Sequence, residues 1–261
     1  AFRQTPPLGH DREKAALVDA GSFYLKALGI TDDSGRIKDK QQDKWRQINK
    51  FVEVMSGLYN KTDLREKRSL TIVDMGCGKG YLTFAAYDYF KNTLGLNVTV
   101  SGIDIKSELV DLCNGIAKAC DFDGLSFVIG KIDDFDIGMV DILIALHACN
   151  TATDDALFKG VAAKASLILA ALCCHQEIRP QIKPPPMLKD VLKHGVMLER
   201  CAEFLTDGLR SLLLERSGYS TKLFEFVSTD HTPKNNMLAA TRLGQPRSPE
   251  QFQRQIDEIK E

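Results

Sequence analysis

Short apolar runs alternate with helical patterns from Leu70 onward, and this alternation limits the possible folds more than any other feature of the chain. Several runs are apolar throughout, as strands are when both faces of a parallel sheet are covered. Repeated strand–helix units form a doubly wound α/β sheet, which binds ligands beyond the carboxyl ends of its strands. We predict a mostly parallel, seven-stranded sheet with strands at Leu70–Met75, Val98–Asp104, Leu125–Ile129, Val140–Leu146, Ser166–Leu172, Lys222–Ser228 and Asn236–Thr241.

Helical periodicity organises the rest of the chain. Helices are predicted between the strands at Tyr81–Thr93, Lys106–Cys120 and Thr151–Lys164, and later at Met187–Ser217 with a break near Gly195 or Gly208. Two more, Asp11–Leu28 and Lys38–Tyr59, precede the sheet and form an N-terminal helical extension. We therefore expect a helical segment at 1–69 that acts as a lid or binds substrate, a sheet domain at 70–245 and a polar tail at 246–261.

Composition excludes several classes of protein. No apolar run approaches the roughly 20 residues of a membrane span, and no secretion signal is visible. The seven cysteines are odd in number and lack disulfide-framework spacing, so we expect a reducing, cytoplasmic compartment. Residues 1–69 hold 14 basic and 10 acidic side chains, whereas the remainder holds 20 and 25. The basic excess near Lys38, Lys40, Lys44, Trp45 and Arg46 either contacts RNA or is a solvated helix face.

A glycine-rich turn follows the first strand, with Asp74, Gly76, Gly78 and Gly80 in the pattern Asp-x-Gly-x-Gly-x-Gly. Gly76 and Gly78 let the backbone turn tightly and approach a ligand, and Gly80 lets the next helix begin close to the strand. Dinucleotide loops use a different glycine spacing and place a diphosphate on a helix N-terminus. A carboxylate at this position would repel a diphosphate but suits a cationic ligand.

This segment resembles the cofactor loop of class I, Rossmann-like, S-adenosylmethionine (SAM)-dependent methyltransferases. The resemblance implies that the glycines and Cys77 line the methionine part of SAM and that Asp74 helps to hold its ammonium group. It also implies that Asp104, at the end of the second strand, accepts hydrogen bonds from the ribose diol. We place Ile105 and Leu146 in the same cofactor site.

The adenine end is less regular. Members of the family commonly have an Asp directly after the glycine that ends the third strand, but Lys131 follows Gly130 here. Either Asp133 takes that role or the backbone of Ile132 reads the edge of the base.

Two motifs follow the fourth and fifth strands, and both should open on one crevice because neighbouring parallel strands end on the same side. The first contains His147, Cys149 and Asn150, and the second is Cys173-Cys174-His175. His147 or His175 would serve as a base for a hydroxyl acceptor, or either would only cap a neighbouring loop. Adjacent cysteines lack the Cys-x₂-Cys zinc spacing, so we predict no metal.

The motif pair resembles the tRNA 2′-O-methyltransferases that carry a Cys-Cys-His stretch, and more closely a broad group of methyltransferase-domain proteins. The loop from His231 to Asn235 also resembles that group. The resemblance implies a SAM-dependent methyltransferase acting on RNA or tRNA. Three alternatives stay open: methylation of a small molecule or protein, a non-catalytic SAM-binding module, and a nicotinamide oxidoreductase, against which the glycine spacing argues. The sequence indicates neither the methyl acceptor nor the oligomeric state.

Overall fold

The computed structural model describes residues 16–146, 151–172, 175–226, 236–244 and 248–260. Its centre is a seven-stranded sheet in the order β3-β2-β1-β4-β5-β7-β6. The first five strands run parallel, and β7 runs antiparallel to both β5 and β6. The strands are β1 (Ser69–Met75), β2 (Asn97–Asp104), β3 (Leu125–Ile129), β4 (Ile142–Ala145), β5 (Leu167–Leu172), β6 (Tyr219–Glu225) and β7 (Asn236–Arg242).

This architecture confirms the predicted doubly wound, mostly parallel sheet. The central strand β4 is buried at every position, which explains why its sequence lacks a polar alternation. It is shorter than predicted, since pairing covers only Ile142–Ala145. Strand β6 begins three residues before its predicted start, at Tyr219, whose hydroxyl donates to the carbonyl of Ala165 at 2.9 Å.

Helices cover both faces of the sheet. Two of them are separated at Lys193 and His194, directly before Gly195, so the chain breaks near Gly195 as predicted, whereas Gly208 lies inside the longer helix. The helices among the described residues are α1 (Phe23–Ala27), α2 (Gln42–Tyr59), α3 (Tyr81–Asp88, continued by a π-helical turn at Tyr89–Thr93), α4 (Ser107–Ala119), α5 (Thr151–Ala162), α6 (Lys189–Leu192), α7 (Gly195–Arg216) and α8 (Pro249–Lys260).

The prediction of one long helix at Asp11–Leu28 is wrong for the described part of that range. Only Phe23–Ala27 is helical, because Asp19 and Ser22 form a turn immediately before it. The backbone N–H of Ser22 donates to the carbonyl of Asp19, and that of Gly21 donates to the Asp19 carboxylate at 2.9 Å. Such local side-chain bonds compete with helix formation.

An aromatic cluster joins the N-terminal segment to the sheet. The ring of Tyr24, fully buried in α1, stacks on Phe84 of α3 with the centroids 5.5 Å apart. Phe84 in turn lies 5.2 Å from Phe127 of β3. Buried side chains of α2, among them Phe51 and Met55, belong to the same hydrophobic cluster. The helical segment therefore packs into the main core, although its role as a lid or substrate-binding part stays a prediction.

Within the described ranges, no helix combines the length and apolar character that crossing a membrane requires.

Replacing Phe84 with Ala tests this connection. We expect the free energy of unfolding to fall by about 3–5 kcal/mol, because the change empties a site enclosed by three other aromatic rings. Urea denaturation measures the effect. Phe158→Ala is the matched control, since Phe158 is 73% exposed and its loss should change stability by no more than about 0.5 kcal/mol. Equal midpoints for the two variants would contradict the packing described.

Candidate functional site

The glycine turn after β1 is built from backbone that side chains disfavour. Gly76, Gly78 and Gly80 all have positive φ, at 76°, 57° and 69°. The N–H groups of Gly76 and Cys77 both donate to the carbonyl of Ile103, at 2.8 and 3.1 Å. The turn is therefore fixed to the carboxyl end of β2, the strand that also supplies Asp104.

Two of these glycines serve different purposes. A Cβ on Gly80 would lie 3.0 Å from the ring of Phe127 and 3.2 Å from that of Phe84, so the absence of a side chain lets α3 begin against the aromatic cluster. A Cβ on Gly78 would meet nothing within 4 Å. Gly78 thus faces open space, into which a ligand can approach the backbone.

Asp104 holds the turn from the neighbouring strand. One carboxylate oxygen accepts from the backbone N–H of Gly78 at 2.8 Å, and the other accepts from the N–H of Lys106 at 3.0 Å. Each carboxylate oxygen has a second lone pair, so the group still has capacity to accept from a diol.

Two hollows meet at Gly78. The larger has a volume of about 620 Å³ and lies at the carboxyl ends of β2 and β3. It is lined by Gly76, Gly78, Ile103, Asp104, Ile105, Lys106, Leu109, Gly130, Lys131, Ile132, Asp133, Thr151, Ala152 and Asp155. The smaller has a volume of about 110 Å³ and is lined by Lys44, Asp74, Cys77, Gly78, Lys79, Tyr81, Leu82 and Leu146.

The structure thus brings together the residues predicted for the cofactor site. Six of them line the larger hollow: Gly76, Gly78, Asp104, Ile105, Ile132 and Asp133. Asp74, Cys77 and Leu146 line the smaller one with Gly78, while Gly80 lines neither and acts through packing. Asp133 and Ile132, the two alternatives for contact with the base, both border the larger hollow, as does Lys131.

The buried carboxyl of Asp74 sets the electrostatics of the smaller hollow. Burial raises its pKa to about 7, the hydrogen bond from Thr83 at 2.6 Å opposes that rise, and the charge of Asp104 adds to it. Burial likewise raises the pKa of the Cys113 thiol to about 12 and that of Cys77 further, so both thiols are neutral at pH 7. A cationic ligand beside Asp74 would favour its ionised form.

His175, predicted as a candidate base, lies in a buried polar network. Its Nε2–H donates to Asp207 of α7 at 2.8 Å, and both side chains are 2% exposed. The second oxygen of Asp207 accepts from the amide of Asn236 at 3.0 Å. Arg210, one turn further along α7, forms two hydrogen bonds to Asp154 at 2.7 and 2.9 Å.

A third hollow of about 230 Å³ adjoins this network and is lined by Asp154, His175, Glu177, Ile178, Gln181, Thr206, Leu209, Arg210 and Leu213. The other residues predicted to be catalytic, His147, Cys149 and Asn150, lie outside the described residues, as do Cys173, Cys174 and His231. In the part of the chain that is described, no three His, Cys, Asp or Glu side chains are grouped to hold a metal ion.

Sequence reasoning missed several residues of these hollows. Lys44, expected either to contact RNA or to lie on a solvated helix face, lines the smaller hollow. The sequence did not indicate that Asp207 and Arg210 are buried beside a hollow, because charged residues in the middle of a long helix are normally solvated. Thr83 could have been inferred, since it follows the glycine turn by one helical turn and its hydroxyl reaches back to β1.

A sequence model described as a methyltransferase domain matches residues 43–181, more than half of the chain. The chain belongs to this family. It is a SAM-dependent methyltransferase, and its sheet has the Rossmann-like order of that class. A search of curated proteins finds no significant match.

The chain is similar to solved structures of methyltransferases. Magnesium protoporphyrin IX methyltransferase from Synechocystis PCC 6803, crystallised with SAM, aligns with a TM-score of 0.50 and 18% identity over 88% of this chain and 100% of its own. The SAH-bound methyltransferase of Podospora anserina gives 0.47 and 12% over 88% of each chain. A putative SAM-dependent methyltransferase from Methanococcus maripaludis gives 0.46 and 14% over 83% and 99%. At these identities the likeness concerns the fold.

The residues of the two hollows fit SAM. The open space above Gly78 leaves room for a ligand against the backbone, Asp104 faces the larger hollow, and Asp74 places a carboxyl where a cation would sit. When bound, SAM supplies an electrophilic methyl group on a sulfonium. Gly78 would then form the floor of the site, with the carboxyl groups of Asp74 and Asp104 in the two adjoining hollows.

Replacing Gly78 with Ala should weaken SAM binding at least about tenfold, because the new methyl group occupies the space beside the glycine backbone. Isothermal titration calorimetry measures this. Gly95→Ala is a matched control: like Gly78, Gly95 has a positive φ (69° against 57°) and open space around its Cβ position, but it is not among the residues that line the two hollows. Both variants incur a similar strain of about 1–2 kcal/mol. If the two bound SAM equally well, Gly78 would not face the cofactor.

The affinity for SAM should depend on pH through Asp74. With a pKa of about 7, this carboxyl must lose a proton before it can pair with a cation, so affinity should fall about tenfold from pH 7 to pH 5.5. The same raised pKa makes the unliganded protein more stable as pH falls below 7, since the folded state then binds a proton that the unfolded chain does not. Calorimetry across this range measures the effect, and Asp74→Asn should abolish the slope. A pH-independent affinity in the unaltered protein would count against this role of Asp74.

Proposed function

We propose that this methyltransferase methylates a hydroxyl group of RNA, most simply a ribose 2′-hydroxyl. The observation that carries the proposal is the buried His175–Asp207 pair. Nδ1 of His175 is buried and has no hydrogen-bond partner among the described residues, and the side chain borders a hollow. A hydroxyl acceptor benefits from such a proton acceptor, whereas an amine acceptor has its own lone pair.

Asp207 fixes the state of the imidazole. Because a carboxylate only accepts, the proton of neutral His175 is held on Nε2, and the lone pair lies on Nδ1. Nδ1 could then take the proton of an acceptor hydroxyl, whose oxygen would receive the methyl group as the bond between that carbon and the sulfonium sulfur breaks and the thioether leaves. Asn236 donates to the other oxygen of Asp207 and so restrains that carboxylate.

The position of His175 along the chain supports this role. Strands β4 and β5 are parallel neighbours that pair Ala145 with Ala170, so their following loops leave the same edge of the sheet. Leu146, directly after β4, lines the smaller hollow, and His175 follows β5 by three residues. Holding acceptor and donor in one orientation is itself a large part of methyl-transfer catalysis.

RNA as the acceptor rests on the resemblance of the His147 and His175 motifs to tRNA 2′-O-methyltransferases. Lys38 and Lys40 are exposed before α2 and are available for phosphate contacts. Trp45, by contrast, packs partly against the core, and Arg46 pairs with Asp43 at 3.0 Å. The basic surface that supports RNA binding is therefore smaller than the sequence indicates.

A small-molecule or protein acceptor is the second candidate, because the hollow beside His175 is acidic. Asp154 and Glu177 line it with Arg210, whose charge Asp154 already neutralises. An acceptor that carries a positive charge would fit this lining better than a phosphate group.

We also propose a reducing, cytoplasmic setting. Among the described residues, the cysteines are all free thiols: Cys77, Cys113, Cys120 and Cys201.

Incubation with methyl-labelled SAM and fractionated cellular RNA, proteins and metabolites tests the acceptor. We expect label in RNA, and digestion to nucleosides should place it on ribose, next to a phosphodiester that resists alkali. Binding to that RNA should weaken steeply with salt. Label confined to proteins or metabolites would refute the RNA proposal and favour the second candidate.

His175→Ala should lower kcat by roughly 10²- to 10⁴-fold and leave the Kd for SAM unchanged. Asp207→Asn should also lower kcat, because its amide N–H can turn toward the ring and favour the wrong tautomer. His194→Ala is the matched control, since His194 is exposed and should tolerate the change. Thermal melting monitors folding, and His175→Gln offers a second variant of similar volume. Normal turnover in both folded His175 variants would remove the histidine from the mechanism.

A further inference from the structure

Lys44 differs from the neighbouring cations of α2. Its ammonium is half-buried and lines the smaller hollow with Asp74 and Gly78. Arg46 and Lys50 on the same helix instead pair with Asp43 and Glu53 at 3.0 and 3.3 Å. Helix α2 thus directs one of its cations into the cofactor site, although it precedes the sheet in the chain.

Lys44 forms no ion pair with any of the described residues. Nζ donates to the side-chain carbonyl of Gln47 at 2.6 Å and lies 5.3 Å from the centre of the Tyr81 ring. Among the described residues, no carboxylate lies within 4.0 Å of it. Burial lowers the pKa of Lys44, which means that its charge is held at a cost in free energy. An anion in the hollow would offset that cost.

The hollow therefore presents both signs of charge. Asp74 provides an acidic group and Lys44 a basic one, and both border a volume of about 110 Å³ beside Gly78. A zwitterionic α-amino acid group, with an ammonium and a carboxylate on one carbon, complements this pair. Lys79 also lines the hollow, but it is exposed, so water competes for its charge.

We propose that Lys44 binds the carboxylate of the methionine part of SAM, so that the N-terminal helix α2 completes the cofactor site. The inference rests on SAM being the cofactor and is independent of which acceptor is methylated. It gives the N-terminal segment a specific role in cofactor recognition. It also accounts for a lysine that is directed into the protein without an ionic partner.

Calorimetry of two ligands tests the proposal: SAM, and decarboxylated SAM, which keeps the sulfonium and the ammonium but lacks the carboxylate. Lys44→Gln should weaken SAM binding roughly 10- to 100-fold and change binding of the decarboxylated ligand by less than about twofold. The unaltered protein should prefer SAM over the decarboxylated ligand by a similar factor. Lys44→Arg should recover part of the affinity for SAM.

Lys50→Gln is the matched control, because Lys50 lies on the same helix and is paired with Glu53 at the surface. It should leave both affinities unchanged, and thermal melting should show that all variants fold. If Lys44→Gln lowered the affinity for both ligands equally, the lysine would only support the fold. If it lowered neither affinity, Lys44 would not be part of the site. If the unaltered protein bound neither ligand, the assignment of SAM as the cofactor would be wrong. A protein that binds SAM but does not methylate RNA would instead contradict only the proposed acceptor.

Lys44 was also a candidate RNA contact, and the same variant separates the two roles. A phosphate contact predicts that Lys44→Gln reduces RNA affinity and its salt dependence while SAM affinity is retained. That outcome would overturn the assignment to the cofactor carboxylate.

Discussion

The carboxylate of Asp104 controls the shape of the cofactor site, because it holds the backbone of Gly78 while that residue has a left-handed conformation. A charged acceptor forms a stronger hydrogen bond than a neutral one, and here it offsets the entropy lost when glycine is fixed. The bond joins β2 to the turn after β1, so the floor of the site is defined by two strands rather than by one flexible loop. Both hollows meet at the residue that this bond restrains.

Electrostatic strain accompanies this arrangement. Asp74 and Asp104 lie close enough for the charge of one to raise the pKa of the other, and burial has the larger effect on Asp74. Lys44 is half-buried without an acidic partner among the described residues. The charged forms of Asp74 and Lys44 do not stabilise the unliganded protein, since each would be better solvated in water. They are instead arranged for a ligand that carries complementary charge, as is usual for sites adapted to bind ions.

The fold could be predicted from sequence because its signals are local. Apolar runs located all seven strands, and the glycine spacing identified the turn after β1. Contacts between distant residues could not be inferred in this way. The pairing of His175 with Asp207 joins positions 32 residues apart, and periodicity alone did not show that Lys44 faces the protein. The prediction of one long helix at Asp11–Leu28 is wrong for the described residues, because the turn at Asp19 competes with helix formation. In the sequence, this turn is too short a signal to outweigh the helical spacing of the apolar residues.

The stacking of Tyr24 on Phe84 has a consequence for the size of the functional unit. The family match begins at residue 43, yet the ring of Tyr24 covers one face of Phe84, and the edge of the same Phe84 ring lies beside Gly80. A fragment cut at the edge of the family match would leave that aromatic face open to water directly beneath the glycine turn. The smallest portion of this chain able to keep a formed cofactor site therefore extends upstream of the recognised domain, at least to α1.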